Sequence, residues 1–454
     1  MHRNNWRVNG MKIAQFEATG IDKVEAFFEA HDICNLTESE VRGFLRTCNL
    51  SFIFEGINRL QSTLICELKD SYVQQSQRYV TMNRESYTLP RLEEVDNQEA
   101  EELTQEAFAL YAKMSALKEG EFKGRPKLTN YVYGIPIEDA RYILPLITKT
   151  NVCIAMAGDK LVDLFRLFMD ATYGALFTEE LAQLKRCLPK RIVQLLMAQE
   201  DNAKKTDLLQ VFYQEYFARI NPKDNLILLD KFTDLDMKVG FGAMTSTMKI
   251  APSESIAKWG EEAPAKAKGV VERVLSYGHS SIAEQARTTF GMMCSLVTYH
   301  QQLRHRITAN YRENLTELVY DEMRVVKVPE TIKQSIFCEE YKELAKRIKS
   351  FRKRIAQKYG EAKALFFLLN CDQVKVIISA NARAEISMLA DRTCMNAQWE
   401  IRELSVKKVM LLRKLSLALY EQALPPCVLG QCREGKLSCG QMLQMKEKFL
   451  NLKA

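Results

Sequence analysis

Hydrophobic and polar positions follow the same order twice along the chain. In each half an apolar run, typical of a strand or a buried helix, leads into a polar motif, a charged helical stretch, a short helix with an apolar end, and a long amphipathic region with helical spacing. These segments are residues 51–65, 71–79, 97–118, 137–146 and 160–199 in the first half, and 288–300, 304–315, 330–359, 356–369 and 382–422 in the second. The order predicts an α+β protein in which helix predominates.

The break between the halves is predicted within residues 221–242. A turn-rich segment, Pro222–Asn225, is followed by the apolar run Leu226–Leu229, which has the pattern of a new strand. We therefore predict two domains, residues 1–225 and 226–454. Because this repeat is far longer than the period of a solenoid, it indicates duplication of a whole domain.

The composition is that of an ordinary globular protein of 454 residues, of which 47% are hydrophobic and 27% charged. No uncharged apolar run approaches the roughly 20 residues that span a bilayer. The polar, basic start Met1–Gly10 lacks the apolar region of a secretory signal. Twelve scattered cysteines without a CxxC pair are typical of reduced thiols in a cytosol. We expect a cytoplasmic protein with no membrane partner.

Charge and cysteine spacing limit the candidate ligands. A net charge of +7 is modest for this length, so it gives no reason to expect nucleic acid, and a small anionic substrate accounts for it equally well. Cys427, Cys432 and Cys439 form a cluster, but their spacing is not that of a zinc site and no histidine lies near them in the sequence. We therefore expect no metal.

The segment Gln301–Ile307 is the most informative part of the chain, because it holds the triplet Arg304, His305 and Arg306. Two guanidiniums and an imidazole in one turn suit a phosphate or diphosphate, since arginine binds oxyanions through two parallel hydrogen bonds. A bare triplet of this kind is more often a solvated basic patch. The motifs around it decide between the two interpretations.

Other polar motifs surround the triplet in the second half. Gly278–Gln285 carries a histidine, a serine and a glutamate at positions 279, 281 and 284, Asn381–Arg383 reads Asn-Ala-Arg, and Asp391–Arg392 leads into Gln398–Glu400. In this order the motifs resemble those of the flavin-dependent thymidylate synthases. That family has an upstream His-x-Thr/Ser-x-x-Glu, an Arg-His-Arg triplet, and a downstream Asn-Ala-Arg.

The first half resembles the same family in the elements that the second half lacks. Ser71–Tyr79 matches the serine and Arg-Tyr pair that follow the triplet in the family, and Ala140–Leu146 matches the element with a second phosphate-binding arginine. In the second half these positions have become Asn314, Thr316, Glu317 and Lys363.

The first half, conversely, has lost the motifs that the second half keeps. It has Cys66–Lys69 where the triplet should stand and Ala157–Asp159 where the Asn-Ala-Arg should stand. Each half thus lacks what the other supplies. This complementarity favours one composite site over independent decay of both copies.

The resemblance implies a fold, a reaction and a set of site residues. It implies two tandem domains of the family, each helix-rich with a central antiparallel sheet, and two chains that together form a pseudo-tetramer. It implies FAD as cofactor, dUMP as substrate, and methylenetetrahydrofolate and NADPH as co-substrates. The implied dUMP-binding residues are Gln74, Gln75, Ser76, Gln77, Arg78, Arg141, Gln301, Arg304 and Arg392, of which Arg392 is catalytic. The implied FAD-binding residues are His279, Ser281, Glu284, Arg304, His305, Arg306, Asn381 and Arg383.

Each of these residues also has a purely structural interpretation. Arg78 or Arg141 alone is more often a surface arginine, and His279 could cap a helix or lie in the core. Asn381 could cap a helix, and Arg392 could pair with Asp391 or Glu385 on one helix face. Asn396 and Ser387 also depart from the family pattern. Two functional alternatives remain open: modification of another pyrimidine nucleotide, and an inactive homologue that binds nucleotide or flavin.

Overall fold

The computed structural model describes residues 11–33, 35–83, 85–115, 135–199, 205–321, 323–430 and 432–451. The polar start Met1–Gly10 and the end of the first charged stretch, residues 116–118, lie outside these ranges. Within the described residues no helix has the length and apolar character needed to cross a membrane.

One or more helices lie between successive strands of the described chain. The strands are β1 Lys12–Thr19, β2 Asn49–Asn58, β3 Ser71–Gln74, β4 Lys149–Ala157, β5 Leu226–Lys231, β6 Arg287–Ser295, β7 Ala309–Arg312 and β8 Gln373–Asn381. The helices of the first half are α1 Ile21–Ala30, α2 Glu38–Leu45, α3 Arg59–Cys66, α4 Glu94–Ser115, α5 Ile137–Ala140, α6 Leu161–Met169, α7 Thr178–Cys187, α8 Lys190–Met197 and α9 Lys205–Ala218. The helices of the second half are α10 Leu235–Thr247, α11 Pro252–Trp259, α12 Ala263–Ser276, α13 Leu296–Gln302, α14 Glu317–Tyr320, α15 Glu330–Lys333, α16 Cys338–Tyr359, α17 Glu361–Ala364, α18 Ala382–Arg392, α19 Trp399–Leu415, α20 Leu417–Tyr420 and α21 Met442–Leu450.

The two sheets have the same strand order. The first is β1-β2-β4-β3 and the second is β5-β6-β8-β7, so each strand of the first sheet has a counterpart at the same place in the second. The paired strands run antiparallel, as in β2 with β4 and in β7 with β8. This confirms the predicted fold class, a helix-rich α+β protein with an antiparallel sheet in each half.

Each apolar run predicted as a strand or a buried helix contains both. In the first half β2 leads directly into α3, and in the second half β6 leads directly into α13. A side chain caps the N-terminus of each helix. Asn58 Oδ1 accepts a hydrogen bond from Gln61 N at 2.9 Å, and Ser295 Oγ accepts one from Thr298 N at 3.2 Å. Such caps satisfy backbone N–H groups that have no partner inside the helix.

The described chain divides into two compact units. The first comprises Met1–Phe212, Ser295–Arg304 and Asn314–Gln373, and the second comprises Tyr213–Cys294, His305–Glu313 and Val374–Ala454. The first unit therefore contains the second-half helices α13 to α17, although each sheet takes its strands from one half. The boundary near residue 225 concerns the sequence repeat and stays a prediction.

Each unit has its own apolar core. In the first unit Phe52 packs edge-on against Phe54 with ring centroids 5.1 Å apart, and both side chains are fully buried. In the second unit Phe217, Met293 and Ile377 are buried together. Burial of such side chains is the main stabilising contribution to each unit.

Candidate functional site

The first unit brings together arginines from both halves of the sequence. Arg59 begins α3, Arg78 follows β3, Arg141 follows α5, and Arg304 follows α13. Arg59 and Arg141 are buried, with exposed fractions of 4% and 3%, whereas Arg304 is exposed. We call these four residues the arginine cluster.

The members of the arginine cluster destabilise one another's charge. Burial lowers the pKa of Arg59 to about 9, and the positive charges of Arg141 and Arg304 act in the same direction. Burial likewise lowers the pKa of Arg141 to about 10, with added contributions from Arg78 and Arg304. Both side chains therefore stay protonated at neutral pH, because these pKa values lie well above 7. The cluster concentrates positive charge in a poorly solvated place.

One carboxylate offsets only part of this charge. Arg78 Nε forms an ion pair with Glu138 Oε2 at 2.6 Å. Arg141 Nε donates a hydrogen bond to the backbone oxygen of the same residue at 3.2 Å. Arg141 Nη2 is buried and has no hydrogen-bond partner within the described residues. A buried guanidinium nitrogen without a hydrogen-bond partner destabilises the folded protein. An oxyanion ligand would supply the missing acceptor. The structural alternative, in which Arg141 is a surface arginine, is wrong because its side chain is buried.

The loop that carries Arg78 adds neutral hydrogen-bonding groups. Ser76 Oγ accepts a hydrogen bond from Arg78 N at 3.2 Å, which orders the turn. Asn370 Nδ2 donates to Gln77 Oε1 at 3.3 Å and to Arg141 O at 3.0 Å. The amide nitrogen of Gln77 is left buried without a partner among the described residues. Gln77 is thus a second buried donor beside the cluster.

Two predicted substrate contacts are engaged in internal hydrogen bonds. Gln74 is buried, and its amide nitrogen donates to Ser62 Oγ at 2.8 Å while its oxygen accepts from His300 Nε2. Gln75 Oε1 accepts from Asn151 Nδ2 at 3.3 Å. The side chain of Gln74 therefore fixes the loop, and its direct contact with a ligand stays a prediction.

His300 joins the two sequence halves within the first unit. Its Nδ1 lies 2.9 Å from the hydroxyl of Thr63, and its Nε2 bonds to Gln74. Burial, together with the charges of Arg59, Arg304 and Arg141, lowers the pKa of His300 well below its usual value, so the imidazole is neutral at pH 7. Gln301, the next residue, is also buried.

The second unit holds the remaining motif residues. Arg392 Nε donates to His305 Nε2 at 2.7 Å, which requires that this nitrogen of the imidazole is unprotonated. Arg392 therefore pairs with a motif residue. Glu385, one of its alternative partners, is buried and instead bonds Lys408 at 2.8 Å and Thr288 at 2.7 Å.

The upstream and downstream motifs of the second unit meet. Arg383 Nη1 forms an ion pair with Glu284 Oε1 at 2.6 Å, and both side chains are about half exposed. Asn381 Oδ1 accepts from Ala384 N at 2.9 Å, so this residue caps α18, as the structural alternative predicted. His279 is exposed and makes no capping hydrogen bond, which makes both of its structural alternatives wrong.

A cleft in the second unit runs along these motifs. Its volume is about 700 Å³, within the range typical of cofactor sites. One wall comes from the upstream motif and α18, with Gly278, Ser280, Arg383 and Ser387. Its lining carries both signs of charge, from Arg383 and Arg433 and from Glu272 and Glu421. Ser281, Glu284 and Arg306 are exposed in the same unit.

The positions where a motif has been lost serve structural contacts. Asn314, in the place of the family serine, accepts a hydrogen bond from Tyr173 at 2.6 Å. Lys363 donates to the backbone oxygen of Arg91 at 2.8 Å. Glu67, in the place of the missing triplet, accepts from Tyr299 at 2.7 Å. These residues are therefore engaged in holding the fold.

Sequence reasoning missed Arg59 and the role of His300. A signal for Arg59 was present, because it is the only charged residue between positions 56 and 66. A lone charge in a segment with the pattern of a buried helix is unusual, because charged side chains are almost never fully buried unless they are paired. For His300 the sequence held no such signal, because its partners Thr63 and Gln74 lie more than 200 positions away.

Comparisons with known proteins agree with the two sheets and the repeated motifs. A family model described as thymidylate synthase complementing protein matches the chain twice, at residues 16–184 and 228–416. The chain is 31% identical to a flavin-dependent thymidylate synthase of Clostridium tetani over 205 residues, 41% of this chain and 82% of that protein. It is 30% identical to one of Geobacter sulfurreducens over 186 residues, 39% of this chain and 79% of that protein. It is 29% identical to one of Pyrococcus abyssi over 226 residues, 47% of this chain and 91% of that protein.

Proposed function

This chain belongs to the family of thymidylate synthase complementing proteins, and on that premise we propose that it converts dUMP to dTMP by FAD-dependent reductive methylation. Methylenetetrahydrofolate would supply the carbon and NADPH the reducing equivalents. The site is composite: Arg78 and Arg141 of the first repeat and Arg304 of the second bind the nucleotide phosphate, and other residues of the second repeat bind the base and the flavin. The relatives named as flavin-dependent thymidylate synthases support this assignment.

The arginine cluster is the observation that carries the proposal. It combines Arg78 and Arg141 of the first repeat with Arg304 of the second in one compact unit. A nucleotide monophosphate carries a dianion, which would pair with these guanidiniums and satisfy Arg141 Nη2. Ser76 and Gln77 would add hydrogen-bond donors. Neither repeat contains this set by itself, which is why we propose a shared site.

The second unit has residues that fit a flavin dinucleotide. The cleft of about 700 Å³ offers room, and Arg383 on its lining offers a cation for a diphosphate. His279, Ser281, Glu284, His305, Arg306 and Asn381 are the further candidate ligands. When bound, FAD supplies the hydride chemistry, and the protein supplies orientation and charge. Since Asn381 also caps α18 and Glu284 pairs with Arg383, these two residues would position the cleft wall as well.

We assign the catalytic role to Arg392. A fixed cation beside the uracil favours the electron-rich ring that attacks the one-carbon unit, and one well-placed donor of this kind contributes on the order of 3 kcal/mol to a transition state. The hydrogen bond from Arg392 to His305 fixes the direction of its guanidinium. Gln301 and Arg304 are further candidate ligands of the nucleotide.

Release of tritium from dUMP labelled at C5 tests the proposal. With FAD, NADPH and methylenetetrahydrofolate supplied, we expect release by the wild-type protein. We expect a loss of at least about a hundredfold in Arg392→Ala, as for removal of one preorganised donor, and a large loss in Arg78→Ala. Arg46→Ala is the matched control, because Arg46 is an exposed arginine of the first repeat outside every motif.

The two variants come from opposite repeats, so their combined effect addresses the composite site. A wild-type protein that holds FAD and dUMP but releases no tritium would contradict the enzyme and favour an inactive homologue. Normal release by Arg78→Ala would contradict the contribution of the first repeat.

A further inference from the structure

Arg59 is a buried cation that the motifs of the family do not include. It lies in the first turn of α3, in the repeat that has lost the Arg-His-Arg triplet, and its exposed fraction is 4%. Within the described part of the chain it forms no ion pair, and no carboxylate is among the groups that shift its pKa. Buried charges in proteins are normally paired, so this one requires an explanation.

Another arginine of the same unit shows the usual arrangement. Arg352 is buried to a similar degree, but its guanidinium binds both carboxylate oxygens of Asp372, and it also donates to Leu318 O at 2.7 Å. Arg352 is therefore neutralised inside the protein. Arg59 instead has Arg141 and Arg304 as its charged neighbours. The guanidinium of Arg59 is therefore kept in place although the positive charges of Arg141 and Arg304 repel it.

The backbone of Arg59 is fixed on both sides. The reciprocal hydrogen bonds between Asn58 and Gln61 start the helix at this residue. The hydroxyl of Thr63 lies 2.9 Å from Arg59 O and 2.9 Å from His300 Nδ1, so it links the helix start to this imidazole. The side chain is thus attached to a rigid helix start. A rigid, unneutralised cation beside two others is the arrangement expected of a preorganised anion site.

We propose that Arg59 is a third binding residue, beside Arg141 and Arg304, for the phosphate dianion of the nucleotide. This inference rests on the proposed function for the identity of the nucleotide. Two of the three guanidiniums are buried, so their hydrogen bonds to the phosphate would form in a poorly solvated place, where they are strongest. Arg59 would then supply a cation from the repeat that no longer has the triplet.

Calorimetric binding of dUMP and of deoxyuridine to the full-length protein tests this role. In Arg59→Gln we expect the Kd of dUMP to rise at least about tenfold, because a charge-assisted hydrogen bond is lost. The Kd of deoxyuridine should not change, since it has no phosphate. Arg59→Lys keeps the charge without the two-pronged geometry and should give an intermediate value. Arg46→Gln, at an exposed position, is the matched control.

Thermal unfolding without ligand separates binding from a structural role. Removing an unneutralised buried cation should leave the Tm of ligand-free Arg59→Gln equal to or above that of the wild type, while the stabilisation by dUMP shrinks. A lower ligand-free Tm with an unchanged Kd of dUMP would make Arg59 a structural residue and overturn the inference. An equal rise in the Kd of dUMP and of deoxyuridine would also overturn it.

Failure of the proposed function gives a different pattern. The wild type could release no tritium from dUMP and yet bind dUMP or inorganic phosphate in a manner that depends on Arg59. This result would support the anion site and contradict the proposed reaction. If tritium is released and Arg59→Gln binds dUMP with the same Kd as the wild type, the result supports the reaction and contradicts the role of Arg59. If the wild type binds neither dUMP nor phosphate, the result contradicts both the proposed function and the role of Arg59.

Discussion

Single residues in this protein show how burial changes charge. Arg352 and Asp372 neutralise each other inside the first unit, whereas Arg59 and Arg141 stay charged without such a partner. Glu180 is the acidic counterpart. It is buried on α7 and accepts a hydrogen bond from Gln61 Nε2 at 2.6 Å. A neutral donor does not replace the water lost on burial, so the protonated form is favoured.

Glu180 predicts a pH dependence of stability. Burial raises its pKa from 4.5 to about 7. Because the folded pKa lies above the unfolded one, the folded protein binds the extra proton between these values. The contribution of Glu180 is fully present below about pH 4.5 and is lost as the pH rises through about 7. The difference in pKa corresponds to about 3 kcal/mol of unfolding free energy.

Urea unfolding from about pH 5 to about pH 8 measures this contribution. We expect the free energy of unfolding of the wild type, relative to Glu180→Gln, to fall as the pH rises. Glutamine keeps the acceptor for Gln61 and removes the titration. Glu29→Gln is the control, because Glu29 is an exposed glutamate of α1 and is not among the groups that shift the pKa of Glu180. A difference between wild type and Glu180→Gln that stays constant with pH would contradict the prediction.

At the scale of elements, the two repeats use the same construction with different endings. In both, a strand leads into a capped helix, β2 into α3 and β6 into α13. After α13 the chain continues into the Arg-His-Arg triplet, but α3 ends on a buried cysteine that is followed by Glu67. Apolar contacts between helix and sheet require both repeats to keep the strand and the helix. The residues that follow each helix are not held by these contacts, so their sequence can differ between the repeats. The end of β4 shows how far such a change can go.

The close packing after β4 makes Gly158 sensitive to substitution. A Cβ at this position would lie 2.5 Å from Leu45 O and 2.8 Å from Cys48 Cβ, so α2 would have to move away from the sheet. We expect Gly158→Ala to lower the free energy of unfolding by about 1–3 kcal/mol. At the place where the second repeat has its Asn-Ala-Arg, the first repeat thus has a close backbone contact that leaves no room for a side chain.

Gly269→Ala is the control for that measurement by urea unfolding. Gly269 is exposed within α12, and no other group lies within 4 Å of the place that a Cβ would take. Alanine should therefore stabilise this helix by about 0.5–1 kcal/mol. Equal effects of the two substitutions would show that the close approach at Gly158 does not govern stability.

At the scale of the whole molecule, we propose that two repeats have divided one site between them. Both sheets keep the same strand order, yet the first unit includes α13 of the second repeat. The residues that would form a second phosphate site, Asn314 and Lys363, instead bond to Tyr173 and to Arg91 O. The chain thus retains two copies of the scaffold but one set of the phosphate-binding motifs.

The number of nucleotides bound per chain follows from this loss. We expect calorimetry to give one dUMP per chain, because the second set has neither the serine nor the arginines that hold a phosphate. Light scattering on the same sample should give a mass of twice 52.2 kDa, as proposed for two chains that form a pseudo-tetramer. Two nucleotides per chain would contradict the loss of the second site.

Much of the fold and the family could be predicted from local sequence. Helical spacing and apolar runs predicted the long helices α4 and α16 and the segments that contain β2 and β6, since these patterns depend on neighbouring residues. They did not predict β1, β4 or β8. The order of motifs identified the family, which the comparisons confirmed. Local sequence could not decide whether Asn381 caps α18 or belongs to a motif, because the two interpretations require the same residue.

The sequence by itself determined the repeated α+β order, the family, and which motif each repeat has kept, because each of these is written in residues close together in the chain. Tertiary structure alone decided that Arg59 is buried beside Arg141 and Arg304, that His300 bonds to Gln74, and that Arg392 pairs with His305. The physical reason is distance along the chain. Charge, burial and hydrogen bonding act between groups that folding brings together, and their partners here lie tens to hundreds of residues apart.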